Sequence, residues 1–475
     1  MKTKVPSSVS RRQFIQAAAL AGVALSLPSL KGQSTPEKAS SGKKHLLSPD
    51  KPFRLACVGC GGMGASDIER LMALNEKGFH IELVALCDVD EERAKKTFEK
   101  YPNVPRYKDY RKMLAEKGSE FDAVTISTPD HMHFPIAMAM MNAGKHIYVQ
   151  KPLAHSIEEV RIMKAKALET GLIAQMGNQG HANDGTRLQQ EWIAAGAIGA
   201  VKEVVAWTNR PIWPQGIPAW LPGQPVPPTM DWKLWIGVSD FVDYNAEYAP
   251  FKWRGYWEWG CGALGDMACH TLDAPFRALD LRGDCTVTAE MRGETPVSFP
   301  TGAKVTYEFP ERNGRPALKL TWYEGDWKAP VPPELEPSEK DEQGNLKPAQ
   351  LTPTGGALYY GEKGILYNPN AHSNAAPRLL PKAKMDAFKK NLPPKSIPRI
   401  PNSNAYLEWV EACRGSLPCG SDVADTAADL TEIVLLGCLA MRLGNGKTIR
   451  WDAKNARVVG VPQADAFIRV QNRSF

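Results

Sequence analysis

The sequence predicts an α/β protein in two parts. A doubly wound parallel sheet spans residues 51–173, and an α+β domain on an open, mostly antiparallel sheet spans 174–475. Three observations predict this. Short apolar strands alternate with helical stretches between Phe53 and Thr170, the pattern of a parallel sheet with helices on both faces. A glycine cluster occupies the first strand-to-helix turn. After Ile173 the strands become longer and Pro- and Gly-rich loops separate them, as in segregated α+β folds. The 475 residues, 43% hydrophobic and 23% charged, suffice for two sizeable cores.

In order, Phe53–Val58 reads as a strand, about 65–77 as a helix, and Ile81–Cys87 as a second strand leading to Asp88. Glu91–Lys100 and Tyr110–Glu116 read as helices. Phe121–Ser127 is a strand stopped by Thr128-Pro129. A helix from about Phe134 ends near Asn142, with Gly144 as its cap, and His146–Gln150 is the next strand. Ser156–Thr170 is helical and Gly171 closes it. Beyond lie strands at Val201–Trp207, Thr286–Met291, Lys304–Phe309 and Ala317–Tyr323, then helices at Tyr406–Cys413 and Ala424–Leu443. Residues 328–356, dense in Pro, Glu and Lys, and 374–403 read as surface insertions. No internal repeat is present.

Residues 1–33 read as an address. Ser10-Arg11-Arg12-Gln13-Phe14-Ile15 precedes an apolar run from Ala17 to Leu30, shorter than the roughly 20 residues that span a membrane. This is a twin-arginine export pattern, with a short amphipathic or buried helix as its alternative. It predicts recognition by the twin-arginine export machinery, a periplasmic or exterior location, and no stable membrane insertion after processing. Residues 34–50 read as a linker. The formal charge of +6 is concentrated in the first fifty residues, which hold eight Lys/Arg against two acids; the remainder is balanced. A nucleic-acid partner is not expected. The nine cysteines are scattered, with no disulfide framework; Cys57 and Cys60 stand in C-x-x-C spacing, but they fall on the first strand and its turn, where pairing is implausible, and read as small buried apolar residues rather than a metal site.

Gly59-Cys60-Gly61-Gly62-Met63-Gly64 fits G-x-G-x-x-G after a strand and before a helix. Gly59 permits a tight turn, Gly61 lets a pyrophosphate approach the backbone, and Gly64 allows close helix–strand packing. Gly62 and Met63 lead into the helix N-terminus, which favours negative charge. Asp88 lies 24 residues after Gly64, where a carboxylate accepts hydrogen bonds from a ribose diol and repels a 2′-phosphate. The cofactor expected is NAD rather than NADP, in a Rossmann domain; a glycine turn with no ligand is the alternative.

Thr128 and Pro129 lie at a later strand end, where ligands of such sheets sit. His133 is expected to face the cofactor, and His131 to bond locally. Gln150-Lys151-Pro152 follows another strand end, and Pro152 keeps Lys151 out of a helix. A lysine there can stabilise charge on a reacting oxygen; an ordinary surface lysine is the competing reading. In Gly260–Asp273, Asp266, His270 and Asp273 fall four and three apart. On one helix they share a face, and a carboxylate-flanked histidine suits proton transfer. A helix cap with a core histidine, or a metal site from the same three residues, are alternatives; no second histidine cluster supports the metal, and none is expected.

Taken together and in this order, the glycine loop, Thr128-Pro129, Lys151-Pro152 and Asp266…His270 resemble the Gfo/Idh/MocA oxidoreductase family, which includes glucose–fructose oxidoreductase and inositol dehydrogenases. The resemblance runs from about residue 53 to the C-terminus and is strongest over 53–180 and 250–280. It implies that Lys151 is the lysine of an E-K-P motif, that Asp266 and His270 are a catalytic D-x-x-x-H pair, and that Asp273 binds substrate. Gln150 replaces the usual Glu. The family further implies a homodimer or homotetramer.

Eight of thirteen tryptophans fall between Trp207 and Trp259. Most read as a packed cluster, with Trp257 and Trp259 as candidates for contact with sugar-ring faces and Arg254 for a polar or anionic substituent. The expected activity is hydride transfer between tightly bound NAD and a secondary hydroxyl of a sugar, glycoside or cyclitol. Lys151 and His270 act on the oxygen and Asp266 orients them. An NAD-dependent glycoside hydrolase using transient ring oxidation and a non-catalytic NAD-binding protein are the alternatives.

Overall fold

The computed structural model describes residues 44–312, 314–469 and 473–475. The export-signal reading lies outside them, as does most of the linker. The linker's last residues are tied to the body: the His45 N–H donates to Gly171 O and the Leu47 N–H to Cys413 O.

Six strands form the first sheet: β1 (Phe53–Val58), β2 (Ile81–Cys87), β3 (Arg106–Tyr107), β4 (Ala123–Ile126), β5 (His146–Val149) and β6 (Ala174–Met176). Their order is β3-β2-β1-β4-β5-β6 and every pairing is parallel. Strand order reverses between β1 and β4, which opens a crevice at their carboxyl ends. β4 and β5 are buried at every position, as strands covered on both faces must be. β6 lies just beyond the 51–173 span. Like β3, it is too short to show a periodic pattern.

Helices Met63–Met72 and Glu91–Lys100 pack on one face of this sheet through Ile68, Leu71, Ala94 and Phe98. The same face is completed from far along the chain. Helix Ala405–Arg414 buries Trp409 against Phe53 and Tyr148, with ring centroids 5.4 Å apart in each case. The other face carries Tyr110–Lys117, His133–Asn142 and Ile157–Thr170, whose buried side chains run continuously into the core of the second domain.

The second sheet has nine strands: β7 (Val201–Thr208), β8 (Cys285–Arg292), β9 (Gly302–Phe309), β10 (Leu318–Glu324), β11 (Gly355–Gly361), β12 (Gly364–Asn368), β13 (Arg378–Leu380), β14 (Thr448–Asp452) and β15 (Arg457–Val458). Their order is β13-β12-β11-β7-β10-β9-β8-β14-β15, and only the β7–β10 pair is parallel. Helix Ala428–Leu443 packs against β8, against Ile157–Thr170 and against Gly262–Thr271. On the opposite face, β8, β9 and β14 carry polar pairs such as Thr288–Thr448 and Lys304–Glu290.

Neither presumed insertion is only surface. Along β7, β11 and β12 alternate residues enter two different cores. Val204, Ala206, Tyr359 and Leu366 face one, while Val205, Trp207, Leu358 and Tyr367 face the other. The second core is closed by Leu335 and Leu351 from the 328–356 stretch, and Trp207 Nε1–H donates to Thr352 O at 2.8 Å. The apolar outer face of these strands therefore determines where that segment lies. In 374–403, β13 extends the sheet and helix Lys382–Phe388 sets Phe388 edge-on against Trp192.

Glu324 ends β10 on the same face as Trp322 and is fully buried. Trp322 Nε1–H donates to its Oε2 at 2.8 Å, and Oε1 has no partner. Burial pushes this carboxyl up to about 8, with the indole bond pulling weakly the other way. The folded state therefore holds the proton more tightly than the unfolded chain. The stability this confers is fully present below the ordinary carboxyl value of 4.5 and is lost as pH rises through about 8. Thermal melts should show Tm falling across that window, and Glu324→Gln should flatten the slope; identical slopes for both proteins would contradict the assignment.

Candidate active site

Between β1 and helix Met63–Met72 the chain turns through the glycine cluster. Gly59 has φ +83°, and a Cβ there would lie 2.6 Å from Ser127 O; a Cβ on Gly64 would lie 1.9 Å from Gly59 O. Only glycine fits either position. The helix N-terminus has no side-chain cap and no acidic residue in its first turn, which leaves its N–H groups and dipole for an external anion. Gly61 serves a further contact beside the pyrophosphate approach expected of it: a Cβ there would meet the Arg93 Cγ and carbonyl at 2.5 and 2.6 Å. The absent side chain admits helix Glu91–Lys100, whose Arg93 lines the same cavity as Gly59, Gly61 and Met63.

Asp88 follows β2 and braces this loop. Its Oδ2 accepts the Cys60 N–H at 2.7 Å and its Oδ1 the Asp90 N–H at 2.9 Å. Burial pushes the carboxyl up to about 6 against these bonds. A carboxylate has about four lone-pair positions, so acceptor capacity remains toward the cavity that Asp88 lines. Thr128 and Pro129 line it too, and Thr128 Oγ1 is buried with no partner among the described residues. A glycine cradle, an uncapped helix start, an acceptor at the second strand end and an orphaned hydroxyl together fit a dinucleotide.

His133 does not face that cavity. Its Nδ1 lies 2.8 Å from Pro152 O and its Nε2 2.9 Å from Thr128 O, so the fully buried ring sits between two strand-end turns and, when neutral, donates its one N–H to one of these carbonyls. Burial lowers its pKa, partly offset by Asp130. Gln150 has an equally defined place: its amide donates to both oxygens of buried Asp67, at 3.1 and 2.9 Å. Asp67 also accepts from Ser127 Oγ and Tyr406 Oη at 2.7 Å each. A glutamate at position 150 would set a second carboxylate against Asp67, which accounts for the amide.

The cavity, about 480 Å³, runs from the glycine loop and Asp88 to Lys151, Asp266 and His270. Lys151 Nζ donates to Asp266 Oδ1 at 2.6 Å. Arg254 Nε stands 3.4 Å from the same oxygen and Arg210 Nε 3.7 Å from the other. Burial alone would raise the Asp266 carboxyl; Lys151, Arg254 and Arg210 outweigh it and hold the group below the usual carboxylate range. Arg254 is itself held by wholly buried Asp130, at 3.0 and 3.2 Å.

His270 lies one turn after Asp266 on helix Gly262–Thr271, but its neighbour is not a carboxylate. The His372 ring lies 4.3 Å away between centroids, and His270 Nδ1 is buried without a partner among the described residues. Burial, then His372 and Lys151, pull the His270 pKa well below 6.5. The expected face of Asp266, His270 and Asp273 does not form, because the helix stops at Thr271 and another begins at Asp273. Asp273 instead pairs with Arg277 at 3.0 Å, away from the cavity, so these three groups do not converge on a metal.

The tryptophan expectation is corrected as well. Trp259 is wholly buried among Trp232, Trp235, Tyr248 and Tyr256. Trp257 packs on Phe299 and under Arg442, outside the main cavity. Trp213, Trp235 and Trp253 line the cavity in their stead. Sequence reasoning did not single out Asp67, Asp130, Arg210 or His372. Arg210 carries a weak signal, an arginine before Pro211 just past a strand end; His372 sits in a loop with no motif.

Comparison with known proteins agrees with this architecture. Residues 53–178 match the model of the oxidoreductase family's NAD-binding Rossmann fold, and 200–306 that of its C-terminal alpha/beta domain. Curated relatives include the 4-carboxy-2-hydroxymuconate-6-semialdehyde dehydrogenase of Sphingobium sp., 31% identical over 34% of this chain and 55% of that protein. They also include an alpha-N-acetylgalactosaminidase of Shewanella oneidensis, 30% identical over 32% and 35% respectively. An inositol 2-dehydrogenase of Salmonella typhimurium is 29% identical over 31% and 43%. The chain spans about half or less of the length of these relatives. Among solved structures, the WlbA dehydrogenase from Bordetella pertussis, in complex with NADH and UDP-GlcNAcA, superposes with TM-score 0.56 at 18% identity over 84% of this chain and 99% of that one. A levoglucosan dehydrogenase, in complex with NADH and L-sorbose, gives 0.53 at 16% identity over 85% and 99%. Residues 53–178 and 200–306 of this chain thus match the two domains of the Gfo/Idh/MocA oxidoreductase family.

Proposed function

We propose that this chain transfers hydride between NAD and the carbon bearing a secondary hydroxyl of a sugar, glycoside or cyclitol. One observation carries the reading: a single cavity joins the glycine loop and Asp88 to Lys151, Asp266 and His270. The inositol 2-dehydrogenase, levoglucosan dehydrogenase and WlbA relatives support it by their own activities.

The backbone N–H groups at the start of helix Met63–Met72 would hold the pyrophosphate, and Asp88 would take the ribose hydroxyls. NAD supplies the hydride acceptor, and that chemistry belongs to the cofactor. Lys151 spends one N–H on Asp266 and has two more for the reacting oxygen. His270, kept neutral by burial, His372 and Lys151, accepts the hydroxyl proton. The Lys151 ammonium then stabilises the developing alkoxide. Asp266 positions Lys151 alone, and does not bond His270.

The twin-arginine pattern at Ser10–Ile15 supports export; outside the cytoplasm a tightly held cofactor would be reset by a second substrate, and the resemblance to the family is what implies a homodimer or homotetramer. A second reading, an NAD-dependent glycosidase, is favoured by the alpha-N-acetylgalactosaminidase and glycosyl hydrolase family 109 relatives. Mass spectrometry of products from a panel of glycosides separates the two. A glycoside about 2 Da lighter with its linkage intact supports the dehydrogenase; release of the aglycone with an unoxidised sugar supports the glycosidase.

Three outcomes are expected of the purified protein. Lys151→Ala and His270→Ala should each lower kcat/KM for oxidation by about 10²–10⁴ without loss of fold; wild-type rates in both would remove these residues from the mechanism. Because the His270 pKa is lowered, the base stays deprotonated in mild acid. The acid limb of the kcat/KM profile should therefore lie below pH 6.5 and vanish in His270→Ala, whereas a limb at or above 6.5 would contradict the assignment. Asp88→Ser should weaken NAD binding and raise the NADP-to-NAD preference at least about tenfold, measured by titration of each dinucleotide; an unchanged ratio would refute the role of Asp88.

A further inference from the structure

The substrate end of the cavity holds more positive charge than its carboxylates balance. Lys151, Arg210 and Arg254 line it, and two carboxylates answer them. Asp130 is wholly buried and committed to Arg254, and it also accepts the Cys261 N–H at 3.1 Å. Asp266 is committed to Lys151 at 2.6 Å, with Arg254 Nε at 3.4 Å. Arg210 is the least engaged of the three. Its Nε stands 3.7 Å from Asp266 Oδ2, beyond hydrogen-bonding distance, and its only side-chain hydrogen bond among the described residues goes from Nη1 to neutral Asn209 at 2.6 Å. The two histidines nearby, His270 and His372, offer no negative charge. The pyrophosphate end has its own guanidinium, Arg93, beside Gly62, so Arg210 is not needed there. Ile212 and Trp213 wall the same region with apolar surface, where the incompletely paired guanidinium attracts an anion more strongly than it would in open water.

A guanidinium with free N–H groups at a partly enclosed site matches a planar carboxylate better than any neutral hydroxyl. We propose that the substrate carries a carboxylate, as sugar acids and uronosides do, and that Arg210 receives it while Lys151 and His270 act on a hydroxyl of the same ring. This rests on the hydride-transfer reading above. It assigns Arg210 as the specificity-determining residue for an acidic substituent.

The test uses the NAD-loaded full chain and matched pairs differing only at one carbon: D-glucuronate against D-glucose and D-galacturonate against D-galactose. Binding is read by calorimetry and oxidation by nicotinamide absorbance. The proposal expects the acid of at least one pair to bind about tenfold or more tighter than its neutral partner. It expects Arg210→Met to erase that preference and Arg210→Lys to retain part of it, with melting temperatures near wild type. Equal or tighter binding of the neutral sugars, with nicotinamide reduced by them, would overturn the acidic-substrate proposal and leave hydride transfer standing. A preference for the acid that survives Arg210→Met would overturn the role of Arg210. If no sugar of either pair bound or was oxidised, the acidic-substrate proposal would fall, and hydride transfer would rest on the glycoside panel above.

Discussion

Asp266 lies at the junction of the two domains with only about a tenth of its side chain exposed, and Lys151, 115 positions earlier in the chain, closes on it at 2.6 Å. An isolated carboxylate there would be strongly disfavoured, and so would an isolated ammonium. Lys151, with Arg254 and Arg210 beside it, makes the Asp266 carboxylate tolerable there, and Asp266 does the same for the Lys151 ammonium. The pair therefore constrains two elements at once. It sets the strand-end turn after β5 against helix Gly262–Thr271, and it directs a lysine with unused N–H groups into the cavity.

The rest of the fold supports that contact from both sides. Behind helix Gly262–Thr271 lies Ala428–Leu443, buried along nearly its whole length between the second sheet and helix Ile157–Thr170. Behind the turn lies His133, whose ring sits between Thr128 O and Pro152 O, and beside it the Gln150–Asp67–Tyr406 network reaches helix Ala405–Arg414. Buried polar networks of this kind work only when satisfied. Here they brace the backbone on which Lys151 and the glycine loop are mounted, so groups that touch no ligand still determine where ligands sit.

Much of this was legible in the sequence because it is local. β1, β2 and helix Glu91–Lys100 have the predicted boundaries, since an apolar run or a capped amphipathic stretch carries its own signal. The glycine loop was legible because sterics at Gly59 and Gly64 admit nothing else. What escaped was set by distant partners. Asp273 turned away because the helix breaks at Leu272. Trp257 and Trp259 went into packing because neighbouring aromatics offered more contact than the cavity. Arg210 and His372 reach the site from loops whose positions depend on the whole second sheet. The 328–356 stretch looked like surface because its few apolar residues, Leu335 and Leu351 among them, are diluted by charge, yet these anchor it over Trp207 and Tyr367.

The central claim is that hydride moves directly between a ring carbon and the nicotinamide held in this one cavity. The most direct measurement is label transfer: the NAD-loaded protein is given a glycoside deuterated at its ring carbons, and the recovered dinucleotide and sugar are analysed by mass spectrometry. The account predicts deuterium on the nicotinamide, with loss of the same label from the sugar. Deuterium that stays on the sugar, or that leaves only into solvent, would contradict it.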